Sequence, residues 1–64
     1  MYQFKIENLK CMSCVHNIED ALKELDEDVR VKVQMEERIV VVETQISYER
    51  IKMAIEQAGY PVAN

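Results

Sequence analysis

Sixty-four residues carry 12 acidic against 8 basic side chains, and a net charge of −4 leaves no basic face for a phosphate backbone, which excludes a nucleic-acid partner. A chain this short buries only about 60% of its unfolded surface, so a large active-site cavity would cost it its core. A binding or carrier protein, not an enzyme, is the expectation. No stretch approaches the ~20 apolar residues of a membrane span, and residues 1–10 contain no signal-peptide core. A single cytoplasmic domain over 1–64 is therefore expected, without membrane insertion.

Tyr2, Phe4 and Ile6 alternate with Gln3, Lys5 and Glu7, the period of a half-buried strand. Residues 8–14 break the alternation and read as a loop. Val15, Ile18, Leu22 and Leu25, with Ala21 beside them, recur at helical spacing and predict a helix over 15–25, with Ser13 as its N-cap. Val29, Val31, Val33 and Met35 predict a second strand. After the short connection Glu36-Glu37-Arg38, the β-branched run from Ile39, continuing to Thr44, predicts its antiparallel hairpin partner. Ser47 caps a second helix whose apolar face is Ile51, Ala54, Ile55 and Ala58, and Gly59 supplies its C-terminal stop. Tyr60-Pro61-Val62 can add only a short edge strand, because proline has no N–H to donate. The order β-α-β-β-α-β predicts an α+β, ferredoxin-like sandwich, a four-stranded antiparallel sheet with two helices on one face.

Both cysteines of the chain, Cys11 and Cys14, fall in the junction between the first strand and the first helix, and the single histidine, His16, follows two residues on. In a reducing compartment so close a pair serves metal binding or redox chemistry more often than a structural disulfide. A Cys-x-x-Cys loop lets two soft sulfurs converge on one ion, and thiolates favour Cu(I), Zn(II) and Cd(II) over Mg(II) or Ca(II). The positive end of the following helix favours an anionic sulfur, and Lys10 adjoins Cys11. Cu(I) accepts a low coordination number, whereas zinc usually takes four ligands. With only Cys11, Cys14 and the optional third ligand His16 close in sequence, Cu(I) is the expected metal, and zinc or cadmium would need help from elsewhere.

In order, length and junction the chain resembles the heavy-metal-associated domain, found in small copper chaperones and as N-terminal modules of metal-transporting P-type ATPases. The family motif is Gly-Met-x-Cys-x-x-Cys. Met12 falls on its methionine, Ser13 on the variable position and Cys14 on the first metal-binding cysteine, while Asn17 occupies the second cysteine position and Cys11 replaces the glycine. The resemblance carries over Cys14 alone as a ligand; Cys11 enters through its thiol and its spacing. It implies a methionine, here Met12, packed in the core beneath the loop, and a loop facing the metal that carries Tyr60. Asn17 is expected to hydrogen bond within the first helical turn. Met1 and Met35 are expected on strand faces and Met53 on a helix surface.

The family also implies a route of transfer, in which the loop and first helix dock on a partner domain such as that of a metal-transporting P-type ATPase. The acidic residues Glu19, Asp20, Glu24, Asp26, Glu27 and Asp28 form a solvated helix face that would steer towards a basic partner. A monomer is expected, with a metal-bridged dimer as the other arrangement two such loops allow. Two other functions stand beside metal carriage. One is a thiol–disulfide redox module, against which the chain is far too short for a thioredoxin fold. The other is a degenerate domain of this family that serves only protein interaction.

Overall fold

The computed structural model describes residues 1–63, in which three strands and two helices alternate as β1 (Tyr2–Lys5), α1 (Met12–Leu25), β2 (Arg30–Gln34), β3 (Ile39–Glu43) and α2 (Tyr48–Gln57). The sheet is antiparallel in the order β1-β3-β2, with Phe4 opposite Val40 and Val33 opposite the same residue on the other side. Period-2 alternation sends Phe4, Val40 and Val42 into the core, where they meet Val15, Ile18 and Leu22 of α1 and Ile51 and Ile55 of α2. Gln3, Lys5, Arg30 and Lys32 are exposed, so both helices cover one face of the sheet and the other meets solvent. The Phe4 ring stacks on Tyr48, centroids 5.0 Å apart, which fixes the first turn of α2 against β1.

The expected fourth strand does not appear among the described residues. Residues 60–62 form no ladder, and the chain lies beside β1 through one backbone bond, from the Ala63 N–H to the Lys5 carbonyl at 2.8 Å. Pro61 removes one of the few donors available to so short a segment, and a single bond does not make a strand.

Both ends of α2 follow local rules. The Ser47 hydroxyl accepts from the Arg50 N–H at 3.4 Å, as expected of an N-cap. At the other end the Gly59 N–H donates to Glu56 and the Tyr60 N–H to Ile55, the paired bonds of a Schellman motif. That motif needs a left-handed residue, and Gly59 supplies it at φ +100. The consequence reaches the site, because the turn drives Tyr60 back into the core, where it is 9% exposed.

The β2–β3 connection contains no glycine, so Arg38 takes the left-handed conformation at φ +57, which costs an L-residue roughly 1 kcal/mol. Its contacts offset this. The Arg38 carbonyl accepts from the Ile6 N–H at 2.8 Å, and its Nη1 donates to the Glu7 carbonyl at 3.2 Å. The hairpin thereby holds the start of the segment that leads to the cysteines.

Candidate metal centre

Two side chains, Asn8 and Leu9, hold the segment before the first cysteine is reached. The Leu9 N–H closes a turn on the Ile6 carbonyl at 3.1 Å, and its side chain is 1% exposed. Asn8 Nδ2 donates to the Gly59 carbonyl at 3.3 Å, joining this segment to the end of α2. Met12, expected beneath the loop, is instead 59% exposed. Leu9 is the residue of this segment that joins the core, and Met12, the first residue of α1, lies in solvent.

Helix α1 begins earlier than its apolar spacing implies. The Cys11 carbonyl accepts from the Cys14 N–H at 3.1 Å and from the Val15 N–H at 3.4 Å, which makes Cys11, not Ser13, the N-cap residue. No side chain caps the helix. The Ser13 hydroxyl lies 2.9 Å from Cys11 Sγ instead, so it is committed to the thiol rather than to the backbone. Cys14 sits in the first turn, half-buried, and Cys11 is exposed at the helix entrance.

The two sulfurs are 3.5 Å apart. A metal–thiolate bond is about 2.3 Å, so one ion can touch both sulfurs without a change in the path of the backbone. The Cys11 thiol is pulled down from 9.0 to about 7, chiefly by the Ser13 hydroxyl, then by the backbone and side chain of Cys14, with burial opposing weakly. Each of these hydrogen bonds favours the charged sulfur. Replacing Ser13 with alanine is expected to return this pKa towards 9.0, read as the pH midpoint of thiolate ultraviolet absorbance in a Cys14→Ser background.

His16 is exposed and turned along its own helix, with Nδ1 3.6 Å from Glu19 Oε1. Among the described residues no group of three or more His, Cys, Asp or Glu side chains is arranged to hold a metal. The structure thus brings Cys11 and Cys14 together and leaves His16 facing Glu19. Of the acidic residues, Asp26 has a structural task, accepting from the Thr44 hydroxyl at 2.6 Å and from the Asp28 N–H at 3.0 Å.

Asn17 makes a longer-range contact than a first-turn bond. Its Nδ2 donates to the Tyr60 hydroxyl at 3.0 Å, in a partly buried position. With Asn8 on Gly59, it gives the turn after α2 two side-chain anchors, one from each side of the cysteine pair. Only the Gly59 stop signal hinted at this in the sequence; the partner lies 43 residues away. Asn17→Ala and Tyr60→Phe should each destabilise the fold, and their double-mutant cycle in urea should return a coupling of about 1 kcal/mol.

A half-buried thiol and an exposed one meet at the start of a helix, in a βαββα chain of this size. Residues 3–61 match the heavy-metal-associated domain family, and the chain belongs to it. The copper chaperone CopZ of Staphylococcus epidermidis is 34% identical over 61 residues, covering 91% of this chain and 90% of that protein. Among solved structures, the copper chaperone Atx1 from Synechocystis PCC6803 superposes with a TM-score of 0.95 at 24% identity, over 98% of this chain and all of that one, a likeness of fold. A gold binding protein superposes with a TM-score of 0.87 at 33% identity, over 94% of this chain and 92% of its own.

No helix among the described residues is long and apolar enough to cross a membrane.

Proposed function

We propose that this protein is a carrier of a soft metal ion, Cu(I) before Zn(II) or Cd(II), which it holds between the sulfurs of Cys11 and Cys14 and passes on by ligand exchange. The observation that carries this reading is the 3.5 Å approach of the two sulfurs, one exposed and one half-buried, at the start of a helix. The relatives named copper chaperones and the gold binding protein support a soft cargo for the same fold. The ion is cargo. No acid or base is required, and nothing in the proposed cycle is enzymatic turnover.

Two sulfurs are enough for Cu(I) and too few for a closed zinc site, so the donor set itself ranks the metals. It also provides the exit. An ion held by two ligands can accept a third from an incoming thiolate before either old bond breaks, and Cys11, exposed at the rim, is the sulfur such a partner reaches first. The acidic side chains Glu19, Asp20 and Glu24 on α1 lie on the element that follows the site and favour a basic acceptor surface, of the kind a metal-transporting ATPase domain would present.

The test is an anaerobic titration of reduced protein with Cu(I), and separately Zn(II), against a competing chelator, with native mass spectrometry of the products. One Cu(I) per monomer, held tighter than Zn(II), is expected. Failure to compete for Cu(I) would leave a domain that serves interaction alone, and a dimer carrying one ion would make the site shared.

A further inference from the structure

Two further metal-ligating side chains stand outside both the cysteine pair and the core. The Met12 thioether is in solvent at the first position of α1, and the His16 imidazole is exposed four residues on. Residues four apart are neighbours on a helix surface, with Cβ atoms about 6 Å apart, the spacing by which paired helical histidines hold a metal. A methionine side chain has three rotatable bonds with which to close that gap. At about 100° per residue, Met12, His16 and Glu19 fall within an arc of about 60°, while Cys14 lies about 160° round the helix from Met12. Val15 and Ile18, both buried, occupy the stripe between the two flanks. The thioether and the imidazole therefore face away from the Cys14 thiol. Glu19 completes the arrangement. Its Oε1 lies 3.6 Å from His16 Nδ1, too long for a hydrogen bond but close enough for the carboxylate to favour a proton on that nitrogen. Nε2 is then the nitrogen with the lone pair, as in metal sites where a carboxylate backs a ligating histidine.

We propose that Met12 and His16 form a second site for a soft monovalent ion, Cu(I) or its congener Ag(I), which needs no thiol and whose histidine is oriented by Glu19. One thioether and one imidazole suit an ion that accepts two ligands, and the thioether selects a soft one. Among the described residues no group of three or more His, Cys, Asp or Glu side chains is arranged to hold a metal, so Zn(II) and hard cations find no closed shell here. Neutral donors hold such an ion more weakly than a thiolate pair does. A competing chelator therefore leaves this site empty while the cysteines stay full. Neither side chain is needed by the fold, since Met12 is not among those packed against the core and His16 is exposed. The site stands on the surface of α1 alone and does not depend on the proposed carrier function.

The experiment titrates Ag(I), a soft ion that air does not oxidise, into reduced wild type in chloride-free buffer. Methionine methyl and histidine ring signals are followed by NMR, and the products are weighed by native mass spectrometry. The second equivalent should shift the Met12 methyl and the His16 ring and leave the exposed Met1 and Met53 methyls in place. Met12→Leu and His16→Ala should each weaken that second ion by roughly tenfold or more and leave the first untouched. Glu19→Gln should weaken it by about tenfold, and should move the His16 ring nitrogens before any silver is added. A variant carrying both Cys11→Ser and Cys14→Ser, its fold checked by circular dichroism, should keep one ion with the same two signals shifted. The proposal is overturned if no second ion binds, if it shifts all the exposed methionines alike or gathers at the sulfurs of a dimer, or if the variants hold it as wild type does. If wild type takes up a single ion that moves Met12 and His16 and leaves the cysteines untouched, the carrier reading fails and this site stands.

Discussion

Leu9→Ala is expected to cost 2–5 kcal/mol, in a domain whose whole stability is about 3–10 kcal/mol at 64 residues. Leu9 is 1% exposed at the centre of the segment that leads to Cys11, and truncation leaves a cavity that the fixed backbone on either side cannot close. On one side the Leu9 N–H is tied to the Ile6 carbonyl; on the other, α1 begins three residues later. Met12→Ala, by contrast, removes a side chain that is 59% exposed and should stay within about 0.5 kcal/mol of wild type. Urea unfolding of the two variants beside wild type decides the matter. Equal losses would mean that the methionine supports the loop as much as the leucine does.

The second large effect is on metal. Mutating groups that merely orient a metal ligand commonly costs 10–100-fold in affinity, so removing one of two ligands should cost more than about 100-fold. Cys11→Ser and Cys14→Ser should each do this, while His16→Ala, whose ring faces Glu19, should leave Cu(I) affinity unchanged. Cys11 is exposed, so its serine variant should fold as wild type does, and the loss can be charged to the ligand. Protons compete for the same sulfur. With the Cys11 thiol pulled down to about 7, its proton competition fades as pH rises above neutrality and grows by about one decade per pH unit well below it. Ser13→Ala, by restoring an ordinary thiol, should extend that pH dependence into the alkaline range.

Much of the fold was legible where the signal is local and repeated. Phe4 declared its face by alternation, and Ile51 and Ile55 theirs by helical spacing, whereas the unbroken apolar run Ile39–Val42 marked a strand without its inward face; Ser47 and Gly59 marked the ends of α2 through cap chemistry that needs no distant partner. Other features depended on contacts that spacing does not encode. The start of α1 was set by backbone bonds to the Cys11 carbonyl, and Ser13, a good cap by type, was drawn to the thiol. Leu9 lies in a stretch without periodicity, so nothing in its neighbourhood marked it as core. Tyr60-Pro61-Val62 reads as a short strand in sequence, but Pro61 and the shortness of the segment leave, among the described residues, a single backbone bond to β1, made by Ala63.

The site was legible in the same uneven way. Spacing alone brought Cys11 and Cys14 into one loop, and the structure places their sulfurs in contact. The task of Asn17 was hidden, since its side chain donates to a phenol from the far end of the chain. That bond bears on the proposed register of the metal. With Asn17 engaged on Tyr60, the thiol facing Cys14 is the one before the helix rather than one within it.

X-ray absorption at the copper edge of Cu(I)-loaded protein tests this placement most directly, run on wild type, Cys11→Ser and a Cys11→Ser variant that also carries Asn17→Cys. Two sulfur neighbours in wild type, one in Cys11→Ser and two again in the double variant are expected of an ion held by the Cys11–Cys14 pair. Two sulfur neighbours that persist in monomeric Cys11→Ser would contradict it.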